Sequence, residues 1–166
     1  MVAVLLSRLA LDAQDAVLGA ARAVPRQYRD DAPARLNSAA WIVTHMAEAH
    51  QIFVGAYVGG LDRDVWYDDF RRGEWLAPAF DAAFISLERT LLETTEVLNA
   101  LTEPDLLRPV KALPTSRFAG LAAGQMIARA IAHLYVHAAD LNTLIVLGGG
   151  DDLGLPQWQE HVRMGP

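Results

Sequence analysis

The chain has no cysteine among its 166 residues. That excludes a disulfide framework, a thiolate zinc site and a cysteine nucleophile. Basic residues are scarce: 14 Lys and Arg stand against 20 Asp and Glu, for a net charge of −6, and they form no cluster. Nucleic acid is therefore not expected as a partner, because phosphate contacts need a basic face. His-Glu-x-x-His, Glu-x-x-His and Gly-x-Ser-x-Gly are all absent, as is a Gly-rich phosphate loop after a strand. Zinc-protease, di-iron and serine-hydrolase chemistry thus lack their signatures. β-branched runs are few, while apolar residues make up 52% of the chain and include many alanines. Such a composition favours packed helices over sheet.

The length suits a single domain over residues 1–166 with a core of its own. Helical spacing predicts four long helices. The first covers 2–24, with Val2, Leu5, Leu6, Leu9, Ala13, Ala16, Val17 and Ala20 as its stripe, and ends at Pro25. The second opens at Asn37 or Ser38 and stops at Gly59-Gly60. The third starts near Pro78 and ends before Thr102, leading into one short turn through Leu107. The fourth covers 118–147 and is closed by Gly148-Gly149-Gly150. The expected fold is all-α, a four-helix bundle with a long crossover over 61–76. The N-terminus carries Arg8, Asp12 and Asp15 and no basic leader, so it reads as a helix rather than a signal peptide. The last helix carries Arg129, two histidines and Asp140, which fits a bundle helix and not a membrane span. A cytoplasmic location is expected.

The stretch that organises the rest is 128–150, ARAIAHLYVHAADLNTLIVLGGG. His133 and His137 stand at i,i+4, one above the other on one helix face. Stepping by three and four gives Met126, Ala130, His133, His137, Leu141 and Leu144, a seam that is otherwise wholly apolar. Imidazole is the commonest protein ligand for a transition metal, and two on one face can hold the same ion. Two histidines hydrogen-bonded inside a core would read identically, so a third ligand must decide. Helix 2 offers His45 as an inward-facing nitrogen donor. Glu48, one turn on, could be a fourth ligand, an acceptor for a ligand's N–H, a general base or an ordinary surface residue. His50, about 140° around from His45, is expected to face solvent or an interface. Three imidazoles would leave open coordination positions, the mark of a catalytic rather than a structural metal.

The crossover holds Trp66, Tyr67, Phe70 and Trp75 among Asp64, Asp68, Asp69, Arg71, Arg72 and Glu74. It is expected to form a lid over one end of the bundle or an aromatic plug. In the tail, Trp158 is expected to pack on the bundle and His161 to be incidental. A second apolar stripe on helix 4, comprising Ile127, Ile131, Leu134, Ala138 and Ile145, could face a neighbouring helix or a partner subunit.

SAAWIVTHMAEAH in helix 2, together with AHLYVHAADLNTLIVLGG in helix 4, resembles the DinB/YfiT-like superfamily. Trp41 before the helix-2 histidine, the LTEPDLLRPV turn and the Asn142…Leu147-Gly148 ending extend the likeness over most of the chain. The resemblance implies a four-helix bundle, often dimeric, that binds a divalent metal at one end. It implies His45, His133 and His137 as the ligands of zinc, nickel or manganese. Some relatives are transferases or isomerases that use a low-molecular-weight thiol such as bacillithiol or mycothiol; others resemble metal-dependent hydrolases. In the mycothiol-dependent isomerase branch the first helix-4 ligand is commonly glutamate, and His133 departs from that pattern. Arg71, Arg72, Arg117 and Arg129 are candidates for a thiol's carboxylates by charge. The expected activity is metal-dependent transfer or hydrolysis on a small-molecule substrate, assisted by Glu48, in a homodimer. The competing expectation is a non-catalytic helical dimer or small-ligand-binding bundle whose metal is structural or absent.

Overall fold

The computed structural model describes residues 1–33, 35–62, 77–112 and 116–154. Among the described residues four α-helices carry the fold: α1 (Val2–Ala23), α2 (Ala39–His50), α3 (Phe80–Asn99) and α4 (Ala123–Leu147). α2 continues without a break as a π-helical segment, Gln51–Gly59. Short 3-10 turns lie at Arg26–Tyr28 and Pro104–Leu107. Among the described residues there is no strand, only an isolated bridge between Pro109 and Ala122. The fold is the expected all-α bundle. α1 packs on α3 and α4, and α2 packs on the same two helices, so α1 and α2 lie diagonally across the bundle.

Local chemistry sets the element ends. The Trp41 N–H donates to the Ser38 side chain, which caps α2 as the sequence predicts. The π segment ends at Gly60, whose φ of 73° is open to glycine and strained for other residues. There the Gly60 and Leu61 N–H groups return to the carbonyls of Ala56 and Gly55. The first N–H of α3, at Phe80, donates to Oδ1 of Asp30 at 2.7 Å.

Two expectations need correction, and a third settles on one of its two alternatives. α4 begins at Ala123 rather than Phe118: residues 116–120 form a turn that reverses through Gly120 at φ 82°. The inward face of α1 is made of small residues, with Ala3, Ser7, Ala10, Ala13, Gln14, Val17, Ala20 and Ala21 buried, whereas Val2 and Leu5 are exposed. Ala13, Val17 and Ala20 of the expected stripe are fully buried, and the departure is confined to the first turns, where small residues let the helices approach closely and Val2 and Leu5 face outward. The second stripe of α4 takes the neighbouring-helix alternative: Ile127, Leu134, Ala138 and Ile145 are buried within one chain and Ile131 is half-buried. α4 is long and apolar enough on composition to cross a bilayer, but that stripe already has its apolar partners inside the bundle. The expectations placed on Trp66, Tyr67, Phe70, Trp75, Trp158, His161, Arg71 and Arg72 lie outside the described residues.

α2 has no solvent face over most of its length. From Ala39 to Val58 all but Trp41, His45 and Ala56 are buried. A helix apolar on nearly all sides is an interior helix. The π register adds a residue to each turn and spreads Ile52, Phe53, Val54, Tyr57 and Val58 round the axis, all of them buried. Two core clusters result. One is centred on Val17, Met46, Leu87, Leu134 and Leu141, the other on Ile52, Phe53, Leu98, Met126 and Ile127. The half-exposed His45 breaks this buried surface where α2 meets α4.

Candidate metal centre

His45 from α2 and His133 and His137 from α4 converge there. Their candidate ligand atoms all lie within 4.8 Å of one another. Nε2 of His133 is 3.1 Å from Nε2 of His45 and 3.3 Å from Nε2 of His137. The rings meet edge-on, at interplanar angles of 63°, 75° and 85°. The apolar seam of α4 thus brings His133 and His137 to one point with His45. It differs in depth: Met126, Ala130, Leu141 and Leu144 are buried, whereas His133 and His137 are only half-buried. The cluster has an open side.

Nδ1–H of His137 donates to Oδ2 of Asp140 at 2.9 Å. A carboxylate only accepts, so the His137 proton is on Nδ1 and its Nε2 presents a lone pair to the cluster. Trp41 stacks on His45 with centroids 5.1 Å apart, and the Phe53 ring edge meets His133 at 5.8 Å. Burial, then the positive field of His137, lowers the His45 pKa to about 4. Burial, then His137, His45, Arg129 and His50, lowers that of His133 to about 3. Both rings are therefore neutral near pH 7, the form that binds metal.

The donor set fits a divalent ion. Nε2 of His133 faces two other Nε2 atoms and has at most one proton to offer, so it cannot hydrogen-bond to both. One cation would satisfy all three lone pairs. Nitrogens about 2.0–2.1 Å from a shared tetrahedral ion sit roughly 3.3 Å apart. The separations of 3.1 and 3.3 Å match that spacing.

Glu48 is not in the convergent set. It is 2% exposed, its Oε1 has no hydrogen-bond partner among the described residues, and burial raises its pKa to about 8. It is thus not the ordinary surface glutamate that one alternative allowed. His50 contradicts the expectation of a solvent or interface residue: it is 2% exposed. The Gln14 amide donates to its Nε2 at 3.0 Å and also to Thr94 Oγ1, while Thr95 Oγ1 donates to the Gln14 carbonyl oxygen. Burial lowers the His50 pKa to about 3. The position opposite His45 is interior because α2 is enclosed on every side.

Sequence reasoning missed Asp140 and Gln14 as partners. An acid three residues after His137 was a readable signal for the first. The second is a lone amide on an alanine-rich face, with no pattern to mark it.

The sequence profile of the DinB superfamily matches residues 6–141, a span that includes all three histidines. Among solved structures, a DinB-like protein of Bacillus subtilis (YjoA) superposes with a TM-score of 0.62. The match covers 88% of this chain and 93% of that one at 16% identity, which establishes a shared fold. No curated protein matches the chain.

Proposed function

The chain belongs to the DinB superfamily, and from that premise we propose that it binds one divalent transition metal through His45, His133 and His137 and uses it in catalysis on a small molecule. The carrying observation is the meeting of three Nε2 atoms at 3.1 and 3.3 Å on the half-exposed side of the bundle. Three nitrogen ligands suit zinc, nickel or manganese and leave positions for substrate. A bound ion would supply Lewis acidity, lowering the pKa of a thiol or water or polarising a carbonyl. The reaction class is transfer to or from a low-molecular-weight thiol, or hydrolysis.

The residues of the chain divide the remaining work. Asp140 holds His137 in the tautomer that presents Nε2. Trp41 and Phe53 wall His45 and His133 with aromatic surface and keep water from their flanks. Glu48, one turn along α2 from His45 and carrying its proton up to about pH 8, is the group that exchanges a proton during turnover. The same reading takes the protein as a cytoplasmic homodimer. Exposed Val136, Val146 and Leu147 on α4 support an apolar contact.

Metal content of untagged protein, measured by mass spectrometry beside the His133→Ala/His137→Ala variant, tests the reading. About one metal per chain in the first and none in the second is expected. Equal metal in both would overturn the ligand assignment.

A further inference from the structure

Two guanidiniums share one aromatic ring beside the histidine cluster. Cζ of Arg117 is 4.8 Å from the Phe118 centroid, and Cζ of Arg129 is 5.0 Å from it. Arg129 also lies 5.8 Å from the centre of Phe53. Phe53 packs edge-on to Phe118 at 5.3 Å and to His133 at 5.8 Å. A continuous path thus runs from the metal-ligating ring through Phe53 to Phe118 and the two arginines. Arg129 is one turn before His133 on the same helix, so the two side chains leave α4 on the same side.

The turn that carries Phe118 is fixed from several directions. The Phe118 N–H donates to Ser116 Oγ, and its carbonyl accepts from Leu121 N–H. Backbone bonds from Val110 to Leu121, from Ala123 to Arg108 and from Lys111 to Tyr57 tie this stretch to the end of the π segment.

Three other arginines of this acidic chain pair with acids: Arg22 with Glu88, Arg29 with Asp81 and Arg89 with Glu93. Among the described residues, Arg117 and Arg129 have neither an ion pair nor a hydrogen bond. Both side chains are exposed with Cζ over the Phe118 ring, and their N–H groups are available to a carboxylate or other oxyanion, which arginine grips through two parallel N–H bonds.

We propose that Arg117 and Arg129, held on Phe118, form an anion clamp, so that the small molecule reaching the three histidines carries a carboxylate or similar anionic group a few bonds from its reacting atom. This deepens the metal-dependent reading and rests on it for the ligand's second anchor. The half-buried Phe118, backed by the buried Phe53, lies between the two anchors, so the ligand's intervening bonds are carbon-rich rather than polyhydroxylated.

The test uses the cobalt-loaded protein and two thiols of equal length, 3-mercaptopropionate and 3-mercaptopropionamide, followed by the sulfur-to-cobalt charge-transfer band. The carboxylate should bind roughly tenfold more tightly than the amide, the scale of charge-assisted contacts at a partly exposed site. In Arg117→Gln/Arg129→Gln, with cobalt stoichiometry and circular dichroism unchanged, the preference should fall to about unity. Equal affinities in the wild type, or a preference that survives the double substitution, would overturn the clamp. If the wild type takes up no cobalt, the metal reading fails and the clamp is judged on the metal-free protein titrated with propionate. Saturable NMR shifts of the Arg117 and Arg129 Nε–H signals alone would sustain it. Equal drift of every arginine signal would overturn it.

Discussion

His137 donates its Nδ1–H to Oδ2 of Asp140 across 2.9 Å, one turn further along α4. That bond selects the tautomer of the ring and aims its Nε2 at the other two histidines. Asp140→Asn keeps the size but not the charge-assisted acceptor. Zinc affinity, read by competition with a chelating dye, should fall about tenfold, the lower part of the range for losing a ligand's outer partner. Unchanged affinity would mean that Asp140 does not orient the site.

Removing metal should loosen the fold without destroying it. The helices bury two apolar clusters with no help from the histidines. At free metal 100-fold above Kd, binding contributes about 2.7 kcal/mol, or roughly 5–10 °C in Tm for a chain of this size. Calorimetry with and without chelator should show a shift in that range. An unfolded metal-free protein would instead mark the ion as structural and favour the non-catalytic alternative.

Glu48 should make the metal-free protein less stable as pH rises. Its folded pKa is raised from 4.5 to about 8, so its contribution is fully present below pH 4.5 and is lost as pH climbs toward 8. Glu48→Gln removes this dependence. Its stability relative to wild type, from urea titrations at several pH values, should therefore grow between pH 4.5 and 8. The slope is limited to about 1.4 kcal/mol per pH unit for one proton. Parallel curves for the two proteins would place Glu48 in contact with water.

The histidines act in the opposite direction. Folded His45, His50 and His133 have pKa values lowered from 6.5 to about 4, 3 and 3. Their contribution is fully present above pH 6.5 and declines as pH falls toward those values, because the unfolded chain takes up protons first. His50→Gln should flatten the acid limb of the metal-free stability curve. An unchanged acid limb would show that His50 titrates normally.

Gln14 is the single anchor of the His50 ring among the described residues. Gln14→Leu leaves His50 Nε2 and the Thr95 hydroxyl without that partner inside the bundle. Stability in urea should fall by about 1–3 kcal/mol, the usual cost of orphaning a buried polar group. A loss below half a kcal/mol would mean that the network relaxes to other partners.

Much of the site was readable from spacing. His133 and His137 at i,i+4 in an apolar seam, with His45 on another helix, gave three donors that the fold brings to one point. Bundle class, Ser38 as a cap and Gly60 as a stop follow from equally local rules. His50 was not readable, because its environment depends on how completely α3 and α4 enclose α2 and on Gln14 reaching it from α1. The π segment was missed because its sequence is apolar throughout and carries no mark of period. The true start of α4 was hidden behind Ser116 and Phe118, which look like a helix beginning but form a turn reversed at Gly120. Alanine contributes to packing by its smallness, which a reading weighted toward large apolar side chains misses on α1.

His45 and His133 touch across 88 residues of chain. An ion held between them is therefore a clasp on a long loop as well as a reagent. Closing a flexible loop of that length costs about 4 kcal/mol in chain entropy on logarithmic scaling. A nascent chain that picked up its metal before folding would have met that cost in advance, with α2 and α4 already tethered while α3 was still searching. The same three rings would then serve twice, first as a fastening that sets which helices meet and afterwards as the place where chemistry is done.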